Sequence, residues 1–186
     1  MSKSDKILEA ALKLFIKDGF HATPTSKIAK EAGVANGTLF HYFSTKEFLI
    51  NELYLNVKKH LRNYMIYNLD ECRTTREKIK HIWISYVKWA IENPDKYAFF
   101  QQFCNSPFIN SVSREEGVRS FEFLFAIIEE GLNDGSLIDI DKTLIVGFTF
   151  GSTHSVISFA YESPEKFNDE YLEIGFKMYW RGVANI

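Results

Sequence analysis

Residues 23–47 read Thr-Pro-Thr-Ser-Lys-Ile-Ala-Lys-Glu-Ala-Gly-Val-Ala-Asn-Gly-Thr-Leu-Phe-His-Tyr-Phe-Ser-Thr-Lys-Glu, and this stretch decides the fold. Thr23-Pro24 is a capping hydroxyl followed by a proline suited to the first helical position, where its missing N–H costs nothing. The helix it opens is short, because Gly33 follows nine residues later. Gly33 allows a turn through positive φ, Ala29 is small enough for two helices to touch, and a further helix occupies about 35–42. Ile28, Val34 and Leu39 supply an apolar side that binds the pair to Leu14 and Phe15 of a preceding helix. Together these define a helix-turn-helix unit. Its second helix turns Ala35, Asn36, Gly37, Thr38, His41 and Tyr42 outward, short or hydrogen-bonding side chains that fit a DNA major groove. Thr25 and Ser26 are placed for phosphate contacts near a helix start, and Lys46 for a phosphate clamp on the other side. Phe40 reads as scaffold.

The flanking sequence is helical as well. Ile7, Leu8, Ala11, Leu14 and Phe15 recur at helical spacing over 5–18, with Ser4 as the expected cap and Gly19 as the stop. Ser44-Thr45-Lys46-Glu47 has the form of a capping box that opens a long helix to about 68, and Thr74-x-x-Glu77 repeats it. Asn93-Pro94 and Ser106-Pro107 mark the next two breaks. Further helices are expected over 114–133, 141–160 and about 167–183. The expected fold is all-α, with about nine helices: an N-terminal three-helix unit and a C-terminal helical bundle.

Composition agrees. Ten Gly and four Pro among 186 residues leave few turns for an all-β chain. Two cysteines supply neither a disulfide framework nor a four-ligand zinc site, and the scattered histidines suggest no metal centre; no cofactor is expected. No unbroken apolar run reaches about 18 residues and no signal-like start is present, so a cytoplasmic location is expected. Residues 1–47 carry seven lysines against five acids, whereas the remainder carries 15 basic and 19 acidic residues. The first quarter thus has a modestly basic surface of its own.

The run Ile28-Ala29, Ala32-Gly33-Val34, Gly37-Thr38-Leu39-Phe40, Tyr42-Phe43 and Lys46-Glu47 resembles the DNA-binding domain of the TetR/AcrR family of bacterial transcriptional regulators, over residues 7–53. The resemblance implies a homodimer on a roughly palindromic double-stranded DNA operator, most often a repressor, released when a small molecule enters the C-terminal domain. It carries DNA contact onto Thr25, Ser26, Asn36, Gly37, Thr38, His41, Tyr42 and Lys46. Ser26 and Asn36 depart from the longer or charged readers of several members, so base identities do not carry over. The chain divides on this reading into 1–47, which binds DNA, and 48–186, which binds the effector and dimerises.

Beyond residue 47 the pattern is less specific. Aromatic residues exceed what a bundle needs, and apolar walls with few polar groups describe a small-molecule pocket. Trp83, Tyr86, Trp89, Phe100, Phe103, Phe121, Phe125 and His154 are the candidate residues for a hydrophobic effector, among helices 76–92, 94–104 and 114–133. His154, amid apolar neighbours, also reads as a core histidine. Gly147, Gly151 and Ser155 recur every fourth residue and form a smooth ridge for a dimer interface. The other reading is a helical small-molecule-binding protein or enzyme with a vestigial DNA-binding head, for which the sequence offers no paired carboxylates, metal cluster or phosphate loop.

Overall fold

In the computed structural model, which describes residues 2–185, the elements run α1 (Lys3–Asp18), α2 (Thr25–Glu31), α3 (Asn36–Tyr42), α4 (Lys46–Ile66), a 3₁₀ turn (Leu69–Glu71), α5 (Thr75–Glu92), α6 (Pro94–Phe103), α7 (Ser111–Arg119), α8 (Glu122–Asn133), α9 (Lys142–Glu162) and α10 (Asp169–Val183). The fold is all-α. The described residues hold ten α-helices and no strand, only an isolated bridge between Leu137 and Ala184.

The additional helix arises because the stretch expected as one helix over 114–133 is two. Ser120 and Phe121 interrupt it: Arg62 Nε donates to the Ser120 carbonyl at 3.0 Å, and Phe121 turns its backbone to φ −115°, ψ 15° and buries its ring. Asn110 caps α7, its Oδ1 accepting from the Ser113 N–H at 2.8 Å.

Three helix starts differ from the sequence expectation. Ser2, not Ser4, caps α1, in a reciprocal box with Asp5. Thr45, not Ser44, accepts from the Phe48 N–H and opens α4. Thr23 caps nothing; it is buried, and its hydroxyl donates to the carbonyls of Leu14 and Gly19, tying off the end of α1. Pro24 stands just before α2 and Thr25 is its first residue. The Thr74–Glu77 box forms as expected.

The chain separates into two compact units, Met1–Lys59 with Asn93–Arg119, and His60–Glu92 with Ser120–Ile186. In the first, α1 packs on α2, α3 and α6, around Ile7, Phe15, Ile28, Leu39 and Phe99, all fully buried. In the second, α5 is central and packs on α8, α9 and α10, with Trp83, Val87, Ile157 and Phe176 in its core.

Candidate nucleic-acid interface and apolar cavity

The turn between α2 and α3 is built by Gly33 at φ +66°, with the Val34 N–H returning to the Ala29 carbonyl at 2.9 Å. Burial of Ile28, Ala29 and Leu39 pins the pair against α1 and leaves the opposite side of α3 outward. Ala35, Asn36, Gly37, His41 and Tyr42 are exposed, and Thr38 is half-buried. On α2, Ser26 is exposed and Thr25 half-buried. Nothing lies within 4 Å of where a Cβ would stand on Gly37, so the α3 backbone there is open to a close partner. His41 and Tyr42 meet edge-on at 5.4 Å. Lys46 is half-buried with its ammonium 4.3 Å from the Phe20 ring centroid, and burial lowers its pKa from the usual lysine value.

Phe40, expected as scaffold, is 42% exposed and shares the outward face of α3 with Asn36 and Gly37. The aromatic scaffold role falls to Phe43 instead, which is buried. A helix of seven residues is about 10 Å long, and one presenting amide, hydroxyl, imidazole, phenol and phenyl groups on one side can read base edges and thymine methyls in a major groove.

The same unit contains a stapled loop at residues 104–110. Asn51 donates to the Phe108 carbonyl at 3.0 Å and accepts from the Asn110 N–H at 2.9 Å. Arg114 donates to the carbonyls of Cys104, Ser106 and Ile109. Phe108 stacks on Phe20 at 4.3 Å and meets His21 edge-on. Tyr54 fits against α7 because residue 117 is glycine; a Cβ there would stand 2.7 Å from the Tyr54 hydroxyl.

In the second unit, α4, α5, α8, α9 and α10 line a small apolar cavity whose wall includes Met65, Trp83, Tyr86, Leu124, Thr149 and Tyr179. Its volume is about 20 Å³, close to the space of one water molecule. Burial, opposed by the contact with Thr149, pushes the Tyr179 phenol up to about 12, so it stays protonated at neutral pH.

Of the sequence candidates for this cavity, Trp83 and Tyr86 line it. Trp89 lies outside the wall, fully buried, stacked on Tyr86 and donating its indole N–H to His60 Nδ1 at 2.8 Å. Phe121 and Phe125 also lie outside the wall. Phe100 and Phe103 belong to the other unit, where Phe103 packs on Phe99 and Phe15. His154 is exposed on α9 and is no core histidine. Thr149, Thr153 and Tyr179 went unnoticed in the sequence; their signal was a pair of hydroxyls four residues apart on α9, facing a tyrosine on the amphipathic α10.

A third feature is an uncovered apolar face on α9 and α10. Leu144 is 58% exposed and Met178 71%, with Phe148, Tyr171 and Ile174 also outward. Gly147, Gly151 and Ser155 are exposed along α9, and space is open above both glycines. By length and composition α9 could cross a membrane, with 22% of its most apolar window buried. Its middle, however, carries Ser152, Thr153, His154 and Ser155, and its inner side is hydrogen-bonded to the bundle through Ser152 and Thr149.

A three-helix head with an outward seven-residue α3, followed by a helical bundle, is the architecture of a helix-turn-helix DNA-binding regulator. Comparison with known proteins agrees. The family model for bacterial regulatory proteins of the tetR family matches residues 7–53, and a tetracyclin repressor-like C-terminal domain matches residues 54–182. The HTH-type transcriptional regulator QacR of Staphylococcus aureus is 25% identical over 170 residues, 87% of this chain and 88% of QacR. The fatty acid metabolism regulator protein of Bacillus subtilis is 35% identical over 74 residues, 40% of this chain and 38% of that regulator's length. A TetR family transcription regulator from Shewanella sp. PV-4 superposes with a TM-score of 0.89 at 31% identity, over 99% of each chain. The chain belongs to the TetR family of bacterial regulatory proteins. It is a ligand-responsive, DNA-binding transcriptional regulator.

Proposed function

We propose that this regulator acts in the cytoplasm as a homodimeric repressor, released from its operator by a small hydrophobic effector. The functional division is 1–47 for DNA and 48–186 for effector and partner. The observation that carries the reading is the two-sidedness of α3: Leu39 is wholly buried while Asn36, Gly37, Phe40, His41 and Tyr42 are exposed. In this reading Asn36 offers a bidentate donor–acceptor pair to an adenine edge, and Thr38 meets a thymine methyl or a phosphate. Thr25, Ser26, His41, Tyr42 and Lys46 hold the backbone, and the bare Gly37 lets α3 approach closely.

The uncovered face of α9 and α10 supports a dimer in which Gly147, Gly151 and Ser155 form the close-approach ridge. An isologous pair buries both copies of the apolar face at once, and it fixes the distance between two α3 helices, which DNA accepts about 34–36 Å apart or at multiples of that spacing.

The small volume of the cavity supports a physical basis for release. No organic effector fits about 20 Å³, so binding requires an expanded bundle. A ligand that enters only the expanded form binds it selectively, and that differential affinity shifts the population away from the operator-competent form. Trp83, Tyr86, Thr149 and Tyr179 are the groups such a ligand meets, and α4, continuous from Lys46 to Ile66, is the lever. A gel shift on duplex DNA from upstream of the protein's own gene tests the reading. A retarded band that disappears on Thr38→Ala and Tyr42→Ala is expected; no band at low salt, or a band indifferent to both substitutions, contradicts it.

A further inference from the structure

Lys46 is the first residue of α4 and follows closely on Tyr42, the last residue of α3. Its ammonium lies 4.3 Å from the Phe20 ring centroid, and among the described residues it makes no hydrogen bond or ion pair. Other lysines of the same unit are held differently, Lys27 by the Asp18 carboxylate at 2.7 Å and Lys13 by Glu9 at 3.1 Å. A carboxylate fixes an ammonium and cancels its charge. An aromatic face attracts the ammonium through its quadrupole and leaves the charge in place, with N–H donors still to give. A phosphate contact needs both the charge and the donors.

The ring that restrains Lys46 is itself fixed. Phe20 is buried and tilts against Phe15 at 5.5 Å. Phe108 stacks on it at 4.3 Å, with 24° between the planes. Phe108 is anchored at both ends of its peptide unit: its carbonyl accepts from Asn51 Nδ2 at 3.0 Å, and its N–H donates to Ser106 Oγ at 3.1 Å. All these residues belong to the first compact unit. A lysine stem is rich in rotamers, and ordering it on binding costs affinity. A stem restrained in advance loses less.

We propose that Phe20 and Phe108 are positioning residues for DNA, a stacked pair that holds the charged end of Lys46 ready for a backbone phosphate. The proposal rests on the reading of Lys46 as a phosphate contact and adds the residues through which that contact is preset.

A double-mutant cycle on the full-length protein tests it, by anisotropy titration of the duplex from upstream of the protein's own gene over a series of salt concentrations. Lys46→Gln is expected to weaken binding and to lower the slope of log affinity against log salt by about one. Phe20→Leu and Phe108→Leu keep an apolar side chain and remove the ring. With Lys46 present, each should weaken binding about two- to fivefold, the scale of one partly exposed cation–π contact. In the Lys46→Gln background neither should weaken it further, because the group they position is gone. A purely structural role would weaken binding equally in both backgrounds. Phe108 is half-buried, so Phe108→Leu carries the test if Phe20→Leu loses helicity. Equal losses in both backgrounds, or no loss with Lys46 present, overturn the positioning role alone. An unchanged affinity and salt slope in Lys46→Gln overturns the phosphate contact with it, and so does a wild type that does not bind the duplex.

Discussion

Asn51 Oδ1 accepts the backbone N–H of Asn110 at 2.9 Å, and its Nδ2 donates to the Phe108 carbonyl on the same loop. The side chain is 3% exposed, and its Nδ2 also donates to the Glu47 carbonyl one turn earlier on α4. One buried amide thus fastens the 104–110 loop to the start of α4. Asn51→Ala leaves the Asn110 N–H and the Phe108 carbonyl without these bonds, at a cost of about 1–3 kcal/mol per buried unsatisfied group. Urea denaturation should show that loss, and amide exchange should rise over 104–110 before it rises in α1. Exchange unchanged across that loop would contradict the fastening role.

Leu39 and Phe40 are adjacent on α3 and should behave as opposites. Leu39 is fully buried, so Leu39→Ala is expected to cost about 2–5 kcal/mol of stability. Phe40 is half outside, and Phe40→Ala should leave the melting temperature almost unchanged while weakening operator binding. Thermal melts beside anisotropy titrations separate the two effects. A Phe40→Ala protein that melts early and binds DNA normally would return Phe40 to the scaffold.

Lys58 gives a pH signature. Burial pulls its ammonium down to about 8 from an ordinary 10.5, with the rings of Phe100 and Tyr54 at 5.3 and 5.6 Å. Between those two values the folded chain holds fewer protons than the unfolded one, so this group makes stability rise with pH across that window. Below about 8 the unfavourable charge is present in full. Lys58→Met should therefore raise the melting temperature most near pH 7, with the gain shrinking towards pH 10.5. A gain independent of pH would rule out the buried charge as its cause.

Met178→Glu and Leu144→Glu test the α9–α10 face. Both side chains are mostly exposed, so a carboxylate there costs the isolated subunit little, but in a dimer interface it is buried against its own symmetry mate. Light scattering should report a dimer for the wild type at micromolar concentration and a monomer for each variant. A monomeric wild type, or variants that remain dimeric, would contradict the dimer face.

The N-terminal head was legible because its determinants are local. Gly33, Ala29, Leu39 and the outward polar set lie within one short window, and turn geometry and helical period place each of them. The cap positions failed by one or two residues for the same local reason: Thr23, Ser44 and Thr45 all have capping hydroxyls, and only tertiary contact sends that of Thr23 to Leu14 and Gly19. The cavity was less legible because it is assembled across long sequence separations. Tyr179 finds Thr149 thirty residues away, and nothing near either residue announces the other. Aromatic richness pointed equally to Trp83 and Tyr86, which line the cavity, and to Phe103, whose ring is taken up by Phe15 and Phe99.

If paired α3 helices read a duplex, selection from a random duplex pool will show it as a two-fold symmetric site. The wild-type protein is expected to enrich a palindrome whose half-sites lie one helical turn, or a multiple of it, apart. Thr38→Ala should lose that enrichment while keeping its fold. No enrichment by the wild type, or the same enriched sequences from the variant, would mean that α3 does not read the duplex.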